Sequence, residues 1–474
     1  MTSIRKDPRM SRQRWTLLVV CAATAMLMLD IAVVNTALSA IAVDLDAGLT
    51  GLQWVVDAYT VALAAVVLTA GSLADRLGRK KLFVGGLAVF TVSSAACALA
   101  GDIIVLDVAR AVQGLGAAAM FAVSLALLAD AFPADDERAG ALAAYGATIG
   151  ASFAVGPLVG GALTTGLGWE WIFLINVPVG LAIIAITVLK VGESVDPLAR
   201  PVDWPGQIAL GAALLLLVTG LLRGNEEGWG SAQIVAMLGG GAVLLGVFAI
   251  IESRVAHPML PLGLFRGRAF TGAQIAAFAI SSSFFAVFLY TTLYLQQILG
   301  LSAIEAGLVY LPGTVVMFFV SAATASLGDR ISQPAMVTVG LLLVGAGMAL
   351  GVLMQVDSSW TVMLPLAVVA LIGTGLFNPA VSAIALSAVP MRDAGLAAGV
   401  NDTFRQAGIA VGVAGLGALF PAGSALGGGD PQGFVDGLHT ASLVCAAIAV
   451  TGAIVFAALV WRPAPAVEPV AEAA

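Results

Sequence analysis

The sequence predicts an all-α protein that crosses a membrane many times. Of its 474 residues, 60% are hydrophobic and only 10% are charged, and the mean hydropathy is +1.02. Such a chain has too little polar surface to cover a soluble protein. Its apolar runs are about 20 residues long, which is the length of a helix that crosses the hydrocarbon layer. Short charged turns separate these runs, as loops at a membrane face do.

Fourteen apolar segments are long enough to be membrane helices, with boundaries defined to within a few residues. The predicted segments are 15–38, 52–72, 82–100, 103–130, 139–163, 170–190, 204–223, 232–252, 269–298, 305–327, 335–354, 361–387, 395–421 and 436–460. The 55 glycines and the abundant alanines permit close approach of these helices.

The lysines and arginines indicate the orientation. Of the 21, Arg110 and Arg405 fall inside predicted helices and Arg223 falls in a loop on the opposite side, which leaves 18 on one side. The amino terminus, with five basic residues before residue 15, shares that side. By the positive-inside rule both termini are expected to be cytoplasmic. The net charge of −7 does not oppose this, since acidic residues contribute little to orientation.

A cleaved signal peptide is the alternative reading of the amino terminus, because a basic start and an apolar run precede Ala40-Ile41-Ala42. Asp30 and Asn35 interrupt that run, and another membrane segment follows it, so a first membrane helix is favoured. The three cysteines lie in apolar helices, where they behave as small hydrophobes, and the two histidines form no ligand cluster. We expect neither a disulfide framework nor a metal site.

Asp30 is the acid that the first predicted helix places deepest. It lies about fifteen residues beyond Trp15, too far for easy snorkelling. Burial favours the protonated form of a carboxylate, and a nearby arginine favours the charged form. An Asp30 that gains and loses access to Arg110 could therefore cycle a proton. The alternative is an acid that is bonded to neighbouring amides near a helix end.

The loop after the second predicted helix reads GSLADRLGRKK at 71–81. Its two glycines permit a tight turn, Asp75 can accept hydrogen bonds from a neighbouring helix N-terminus, and the basic residues hold the loop on the cytoplasmic side. The stretch resembles the loop signature of the major facilitator superfamily at Gly71, Asp75, Arg76, Gly78 and Arg79. This resemblance implies the major facilitator fold and a loop that latches the outward-open conformation.

The fourth predicted helix carries Arg110 within the apolar stretch VLDVARAVQGLGAAAM. A buried arginine needs a partner, and intramembrane charges are functional by default, although a static ion pair between two helices would satisfy the same physics. The stretch resembles the RxxQGxgaa motif of the same superfamily at Arg110, Gln113, Gly114 and Gly116. The resemblance implies that Arg110 takes part in proton coupling.

The fifth predicted helix reads GASFAVGPLVGG at 150–161. Proline removes a backbone donor and kinks a helix, while the flanking glycines permit close packing. The spacing resembles the gxxxGPxxGG signature of exporters that work by antiport, at Gly150, Gly156, Pro157, Gly160 and Gly161. This resemblance implies outward transport.

Two further stretches resemble the fourteen-helix drug:proton antiporter branch of the superfamily. LDIAVVNTALS covers Asp30, Asn35, Ala37 and Leu38 of the first-helix motif, with Ser39 in place of the usual proline. WEWIFLINVPVG at 169–180 matches the second motif, with Glu170 in place of the usual arginine. The resemblance implies two six-helix bundles plus two inserted helices.

An internal repeat supports this organisation. Ser72-Leu73-Ala74-Asp75-Arg76 returns as Ser326-Leu327-Gly328-Asp329-Arg330, 254 residues later. Weaker echoes pair Gly114-Leu115-Gly116 with Gly373-Thr374-Gly375, and Gly140 and Gly156 with Gly395 and Gly412; chance alignment of glycine-rich helices would also explain these. Each displacement spans eight helices, so two helices separate the halves, which keep a parallel orientation. We predict an N-terminal bundle at 1–190, a linker with two inserted helices at 191–268, and a C-terminal bundle with a short disordered tail at 269–474.

Several polar and aromatic residues are assigned to a substrate cavity: Asn35, Asp57, Tyr59, Gln113, Tyr290, Tyr294 and Asp402. Aromatic rings, including Phe284 and Phe285, can stack on a ligand or bind a cation, although most membrane aromatics pack or anchor at interfaces. Asp402 lies one turn before Arg405, and a self-contained pair is the favoured alternative for it. Resemblance to exporters of dicationic drugs implies that Asp57 or Asp402 meets a cationic substrate.

The predicted function is proton-coupled export of drugs or other lipophilic small molecules, cations included, by a functional monomer in the bacterial cytoplasmic membrane. No GxxxxGK[ST] phosphate loop occurs, so we expect a proton gradient as the energy source, no cofactor and no nucleic-acid partner. A potential of about 150 mV drives a proton with roughly 3.5 kcal/mol. The alternatives are an exporter of one antibiotic or metabolite and a facilitator-type importer. An enzyme or receptor is disfavoured, because neither a catalytic cluster nor a sizeable soluble segment is found.

Overall fold

A computed structural model describes residues 8–195, 201–328, 330–390, 393–421 and 429–461, and in these ranges the chain forms fourteen long helices and no strand. The helices are α1 (Pro8–Asp44), α2 (Leu49–Leu77), α3 (Arg79–Ala98), α4 (Ile103–Ala131), α5 (Asp135–Leu167), α6 (Trp171–Leu174 and Asn176–Lys190), α7 (Trp204–Glu227), α8 (Ala232–Arg254), α9 (Arg268–Ile298), α10 (Ala303–Leu327), α11 (Gln333–Leu353), α12 (Met363–Ser387), α13 (Ala394–Gly417) and α14 (Pro431–Val460). Their number and order are those predicted.

Thirteen of these helices are long and apolar enough to cross a membrane, within the part of the chain that the structure describes. The exception is α13, whose middle carries Asn401, Asp402, Arg405 and Gln406. It has the length of a membrane helix, 24 residues, and most of its residues towards the bundle are buried. The prediction of an all-α polytopic membrane protein is confirmed.

The helix ends follow local sequence signals. Gly78 ends α2 and precedes α3 with a φ of 110°, a left-handed conformation that favours glycine. Asp102 begins α4 by accepting a hydrogen bond from the Val105 amide at 2.9 Å. Ser302 and Glu305 form a reciprocal capping box at the start of α10. Pro157 lies inside α5, which continues beyond it.

Two helices depart from regular α geometry. In α9, the segments Ser281–Phe285 and Tyr294–Ile298 are π-helical turns on either side of Ala286–Leu293. In α6, Ile175 separates the short turn Trp171–Leu174 from Asn176–Lys190. Irregular turns of this kind occur often at functional sites.

Helices that are far apart in the sequence pack against each other. In the first half of the chain, α1 packs on α5, and α4 packs on both α2 and α3. In the second half, α12 packs on α10 and α11, and α14 packs on α9 and α11. Two helix pairs form most of the contact between the halves: α2 lies along α13, and α5 lies along α10; α1 also touches α9 and α10. We call the end of the bundle where α1 stops at Asp44 the distal end, and the end where α2 meets α3 at Gly78 the proximal end.

The helices α7 and α8 form a hairpin beside the junction of the halves. The two pack on each other, and α7 also contacts α2 and α13, one helix from each half. The linker that follows α8 includes a 3₁₀ turn, Leu262–Arg266, and it buries Met259 and Leu260 against the bundle. The division of the chain at 190 and 268 stays a prediction.

Of the glycine pairs that repeat in the sequence, one makes corresponding helix contacts in the two halves and another does not. Gly156 of α5 lies against Ala32 of α1, and Gly412 of α13 lies against Ala286 of α9, eight helices further on in each case. Gly114, in contrast, faces Tyr59 of α2, whereas Gly373 faces Gly340 of α11, so this glycine pair does not occupy matching contacts. Asp329 of the second loop signature and the predicted disordered tail after Trp461 lie outside the described residues.

Candidate functional site

Asp30 and Arg110 form a buried ion pair between α1 and α4. Arg110 Nη1 donates to Asp30 Oδ2 at 2.6 Å, and both side chains are nearly inaccessible to solvent, at 2% for Arg110 and 0% for Asp30. The residues are 80 positions apart in sequence. The structure thus brings together the two residues that the sequence predicted as partners in proton coupling.

Two amide side chains complete the surroundings of Asp30. Gln113 Nε2 donates to Asp30 Oδ1 at 2.9 Å, and Asn176 Nδ2 of α6 donates to the same oxygen at 3.0 Å. Both amides also donate to Ser94 Oγ of α3, at 2.7 and 3.2 Å respectively. Asp30 therefore has three donors from two helices, an arrangement suited to a carboxylate that carries its charge.

Arg110 has further partners besides Asp30. Its Nε donates to the Val55 carbonyl of α2 at 2.9 Å, and Nη1 also donates to Gln113 Oε1 at 2.7 Å. The guanidinium carbon lies 4.3 Å from the centre of the Tyr59 ring. A buried charge needs such compensation from hydrogen bonds and polarisable faces. These contacts would persist if Asp30 were neutralised.

The residues assigned to a substrate cavity fall into separate places. Gln113 and Tyr59 belong to the Asp30 site described above. Asn35 donates only along its own helix, to the Ile31 carbonyl at 3.2 Å. Tyr294 donates to the Gln355 carbonyl at 2.7 Å, near the distal end. That these residues line a substrate cavity stays a prediction.

A second polar cluster joins α2, α9 and α13. Gln53 Nε2 donates to Tyr290 Oη at 2.6 Å and to the Val413 carbonyl at 3.2 Å, and Tyr290 Oη donates to the same carbonyl. Asp57, one turn along α2 from Gln53, is fully buried, and neither of its oxygens has a hydrogen-bond partner among the described residues. A buried carboxyl without a donor is costly to ionise, so this position favours the neutral acid or a cationic ligand.

Asp402 and Arg405 of α13 are within electrostatic range of each other, as their spacing suggested. No direct salt bridge joins them in the described part of the chain. The guanidinium of Arg405 instead lies 5.8 Å from the Phe285 ring in the first π-helical turn of α9. Residues three apart in a helix can meet, but the side chain of Arg405 is directed across the helix interface. Asp402 is within electrostatic range of Tyr59 and Tyr145.

The signature loop at 71–81 is held by contacts at the proximal end. Arg79 donates to Asp75 Oδ1 through Nη2 at 3.0 Å and through Nε at 3.1 Å. Its backbone amide donates to the Ser194 carbonyl at 2.9 Å, and the Lys80 amide donates to Glu193 Oε1 at 3.0 Å. Arg76 is exposed, and Gly71 has open space beside it. Asp75 thus pairs within its own loop, and its predicted bond to a neighbouring helix N-terminus is not among the described contacts.

The glycines of α5 lie at two close helix crossings. A Cβ on Gly156 or Gly160 would overlap Ala32 or Thr36 of α1. A Cβ on Gly161 would overlap the Ala303 carbonyl at the start of α10. Gly307 of α10 in turn lies against the Pro157 carbonyl. Only small residues permit this backbone contact.

Gly150 differs from the other glycines of the α5 motif. A Cβ at Gly150, like one at Gly146, would meet no atom within 4 Å. The tight part of α5 is therefore confined to the half of the helix towards the distal end.

Hydrogen bonds between the two halves cluster at the distal end. Three sets of hydrogen bonds join α1–α6 to α9–α14 at this end: the Gln53 contacts, Gln296 Nε2 to the Thr36 carbonyl at 2.9 Å, and the Ile304 amide to Thr165 Oγ1 at 3.2 Å. Towards the proximal end, α2 and α13 meet through apolar contact of Leu68 with Gly399. The described polar contacts between the halves therefore lie at the distal end, while apolar packing joins the halves at the proximal end.

Asn176, Ser94 and Gln53 are the polar residues that sequence reasoning missed. Asn176 lies in the stretch WEWIFLINVPVG, where a lone amide in an apolar run is a usable signal. Ser94 and Gln53 carry no such signal, because serine is common in membrane helices and Gln53 lies near a predicted helix start. In the described part of the chain, no group of three or more His, Cys, Asp or Glu side chains converges to hold a metal ion.

The chain is similar to known transport proteins over most of its length. Residues 20–413 match the Major Facilitator Superfamily. The multidrug resistance protein Stp of Mycobacterium tuberculosis is 36% identical over 400 residues, which are 84% of this chain and 74% of that protein. The methylenomycin A resistance protein of Streptomyces coelicolor is 34% identical over 394 residues, 83% of each chain.

A solved structure shares the fold at low sequence identity. The peptide transporter POT, crystallised in complex with sulfate, superposes with a TM-score of 0.67 over 94% of this chain and 95% of its own, at 16% identity. At that identity the likeness concerns the fold alone.

Proposed function

Because this chain belongs to the Major Facilitator Superfamily, we propose that it exports drugs or other lipophilic small molecules in exchange for protons. It is a multi-pass membrane protein with the fold of this superfamily. Its relatives Stp and the methylenomycin A resistance protein are named for resistance, which supports export of antibiotic-like molecules. The family and the solved neighbour are transporters, and we assign no enzymatic activity to the chain.

The proposed location is the bacterial cytoplasmic membrane, with both termini in the cytoplasm. This follows from the 18 basic residues that the sequence places on one side. The proximal end, with Arg76, Arg79 and Lys80, is then cytoplasmic, and the distal end faces outward. The protein is proposed to work as a monomer, since one chain carries both halves.

The buried pair of Asp30 and Arg110 is the observation that carries the proposal. A carboxylate that is buried among three donors can bind a proton only if that network changes. Protonation of Asp30 would remove the partner of a buried guanidinium, and loss of one member of a buried pair costs about 3 to 5 kcal/mol when nothing replaces it. Val55, Gln113 and Tyr59 remain to hold Arg110. The neutral state of the site is therefore accessible, and it differs in structure from the charged state.

The proposed cycle alternates access to this site. Asp30 is protonated when the distal end is open, and the neutral site permits closure of that end. With the proximal end open, Asp30 releases its proton to the cytoplasm and substrate binds. The distal contacts of α5 with α10 and of α2 with α13 are proposed to hold the distal end closed while the proximal end opens. The loop at Asp75 and Arg79 is proposed to latch the opposite state.

Lipophilic cations are the proposed substrate class to test first. Asp57 is a buried acid without a hydrogen-bond partner among the described residues, and it is within electrostatic range of the Tyr290 hydroxyl at the junction of the halves. An acid and an aromatic residue at the same junction suit a cation with an apolar body. A narrow-specificity exporter of one antibiotic is the second candidate, favoured by the relative that is named for methylenomycin A alone.

The first test compares ethidium efflux from energised cells that carry the wild type, Asp30→Asn or Asp46→Asn. Asp46 lies in the exposed loop after α1 and undergoes the same change of charge, so it is the matched control. We expect the wild type and the control to show efflux that a protonophore abolishes. We expect Asp30→Asn to lose that efflux while it stays folded and inserted, because asparagine can accept from Arg110 but cannot exchange a proton at this pH range.

Undiminished efflux in Asp30→Asn would remove Asp30 from the mechanism. Accumulation rather than exclusion of solute would identify an importer. If no dye moves in any variant, a panel of antibiotics replaces the dye, and a single protected compound would favour the narrow exporter.

A further inference from the structure

Two acidic residues face each other at the base of the α7–α8 hairpin. Asp203 begins α7, where Oδ1 accepts a hydrogen bond from the Gly206 amide at 2.9 Å. Glu252 lies in the last turn of α8, and its Oε2 accepts from the Leu260 amide of the following linker at 3.0 Å. Both residues are buried, with exposures of 5% and 3%. One oxygen of each acid is therefore fixed by backbone, and the other oxygen is directed inward.

The two remaining oxygens lie beside the same glycine. Asp203 Oδ2 and Glu252 Oε1 lie 2.7 and 2.8 Å from the position that a Cβ on Gly206 would take. Neither atom has a donor partner among the described residues. The two carboxyl groups therefore face each other with a free oxygen on each, and they are within electrostatic range of each other. Because ionised carboxylates only accept hydrogen bonds, a hydrogen bond between them requires a proton on one of them.

Among the described residues, no cation forms an ion pair with either acid. The charged groups on the surrounding elements are Arg254 of α8, His257 and Arg266 of the linker, and Arg76 at the end of α2. Within the described ranges, Glu252 interacts with the Leu260 amide and with Asp203, and with none of these cations. Two like charges in contact in a buried site cannot both persist at low cost.

The hairpin that rests on this pair bridges the two halves. At its distal tip, Thr50 of α2 donates to Glu226 Oε1 at 2.6 Å. Asn225 Nδ2 of α7 donates to the carbonyls of Gly417, the last residue of α13, and of Phe420 just beyond it, at 3.3 Å each. The linker packs on α2 through Met259 and Thr69. A shift at the hairpin base is thus transmitted to both helices that line the junction.

We propose that Asp203 and Glu252 share one proton and so form a pH-sensitive lock at the base of the hairpin. With the proton in place, the hydrogen bond ties the start of α7 to the end of α8 and to the linker. Loss of the proton leaves two adjacent charges, which separate and loosen the base. The proton comes from the cytoplasm, a point that rests on the proposed orientation of the chain; the lock itself does not depend on transport.

The direct test is infrared spectroscopy of the purified full-length protein in detergent. We expect the wild type to show the carbonyl stretch of protonated carboxyl groups at neutral pH, to which a neutral Asp57 also contributes, and we expect Glu252→Gln to lose the part of its intensity that comes from the shared proton. Glu226→Gln is the matched control, because it removes an exposed acid at the opposite end of the same hairpin. The same band in Glu252→Gln as in the wild type would overturn the proposal, and so would its equal loss in Glu226→Gln.

The second readout is thermal unfolding as a function of pH. The folded wild type holds a proton that the unfolded chain releases, so its stability falls as pH rises. We expect its midpoint to fall by about 2 to 4 °C more than that of Glu252→Gln between about pH 6 and about pH 9. The glutamine amide donates to Asp203 at any pH, which removes the dependence. Equal slopes in the two proteins would contradict the shared proton, whatever the outcome of the efflux experiments.

Discussion

Arg110 is held by partners that only a guanidinium can satisfy together. Its Nε and Nη1 reach a carbonyl of α2, a carboxylate of α1 and an amide of its own helix, and its planar face covers Tyr59. Lysine offers one point charge on a flexible stem and has no planar face to stack. The position therefore depends on the shape of the side chain as well as on its charge.

We predict that Arg110→Lys reduces proton-driven efflux about tenfold or more. Hydrogen bonds to charged groups contribute about 1.5 to 3 kcal/mol each, and loss of one such bond in the coupled state accounts for that factor. Dye efflux at matched protein levels measures the effect. Arg223→Lys is the control, since Arg223 is part-exposed and pairs with Glu227 one turn away. Wild-type efflux in Arg110→Lys would mean that charge alone suffices.

At the scale of residues, the sequence indicated the chemical groups but not the whole network. Asp30 and Arg110 could be expected to pair, because each is a charge in an apolar helix and each needs a partner. Asn176 and Ser94 could not be assigned to the same site, because amides and hydroxyls can bond along their own helix without a partner elsewhere. For Asp402, helical spacing suggested a direct pair with Arg405; the two interact electrostatically, but the guanidinium lies towards Phe285 and makes no salt bridge with Asp402.

The helix α5 combines a tight half and an open half, which permits a matched comparison of its glycines. We predict that Gly161→Ala lowers both efflux and thermal stability, because the methyl group would meet the Ile304 Cα at 2.7 Å and backbone cannot move aside. Overpacking of this kind costs about 1 to 3 kcal/mol. Gly150→Ala has open space and is expected to behave as the wild type.

Efflux assays and thermal unfolding midpoints of Gly161→Ala and Gly150→Ala test this prediction. If Gly150→Ala were as damaging as Gly161→Ala, the motif would act through helix flexibility rather than through contact with α10.

At the scale of elements, the apolar runs predicted all fourteen helices in their order, because hydrocarbon thickness sets their length. The π-helical turns of α9 and the interruption of α6 at Ile175 were not predictable. Such irregular turns depend on how a helix packs against its neighbours, and the apolar periodicity that marks a helix is unaffected by them.

For the molecule as a whole, the distal contacts should open once in each transport cycle. We predict that a disulfide between Thr165→Cys and Ile304→Cys stops efflux and that a reductant restores it, because the Thr165 hydroxyl and the Ile304 amide are 3.2 Å apart in the closed state. The single variants serve as controls for the substitutions themselves. Full efflux by the cross-linked protein would show that this end stays closed during transport.

The arrangement of the helices in the whole molecule could be predicted only in part from the sequence. The repeated loop signature indicated two halves, but the contacts of α7 with α2 and α13 could not be inferred, since an inserted hairpin has no counterpart in a repeat. The choice of which end is closed is also absent from the sequence, because the same residues must serve both conformations of a transporter.

The polarity of α13 bears on how the protein is made. Its centre places Asp402, Arg405 and two amides in the membrane, and each charge costs about 2.5 to 3.5 kcal/mol on insertion of an isolated helix. Asn401 donates to Gln274 of α9 at 3.1 Å, and Gln274 is synthesised more than a hundred residues earlier. We therefore expect α13 to enter the bilayer against helices that are already in place, so that assembly of the second half accompanies insertion rather than following it.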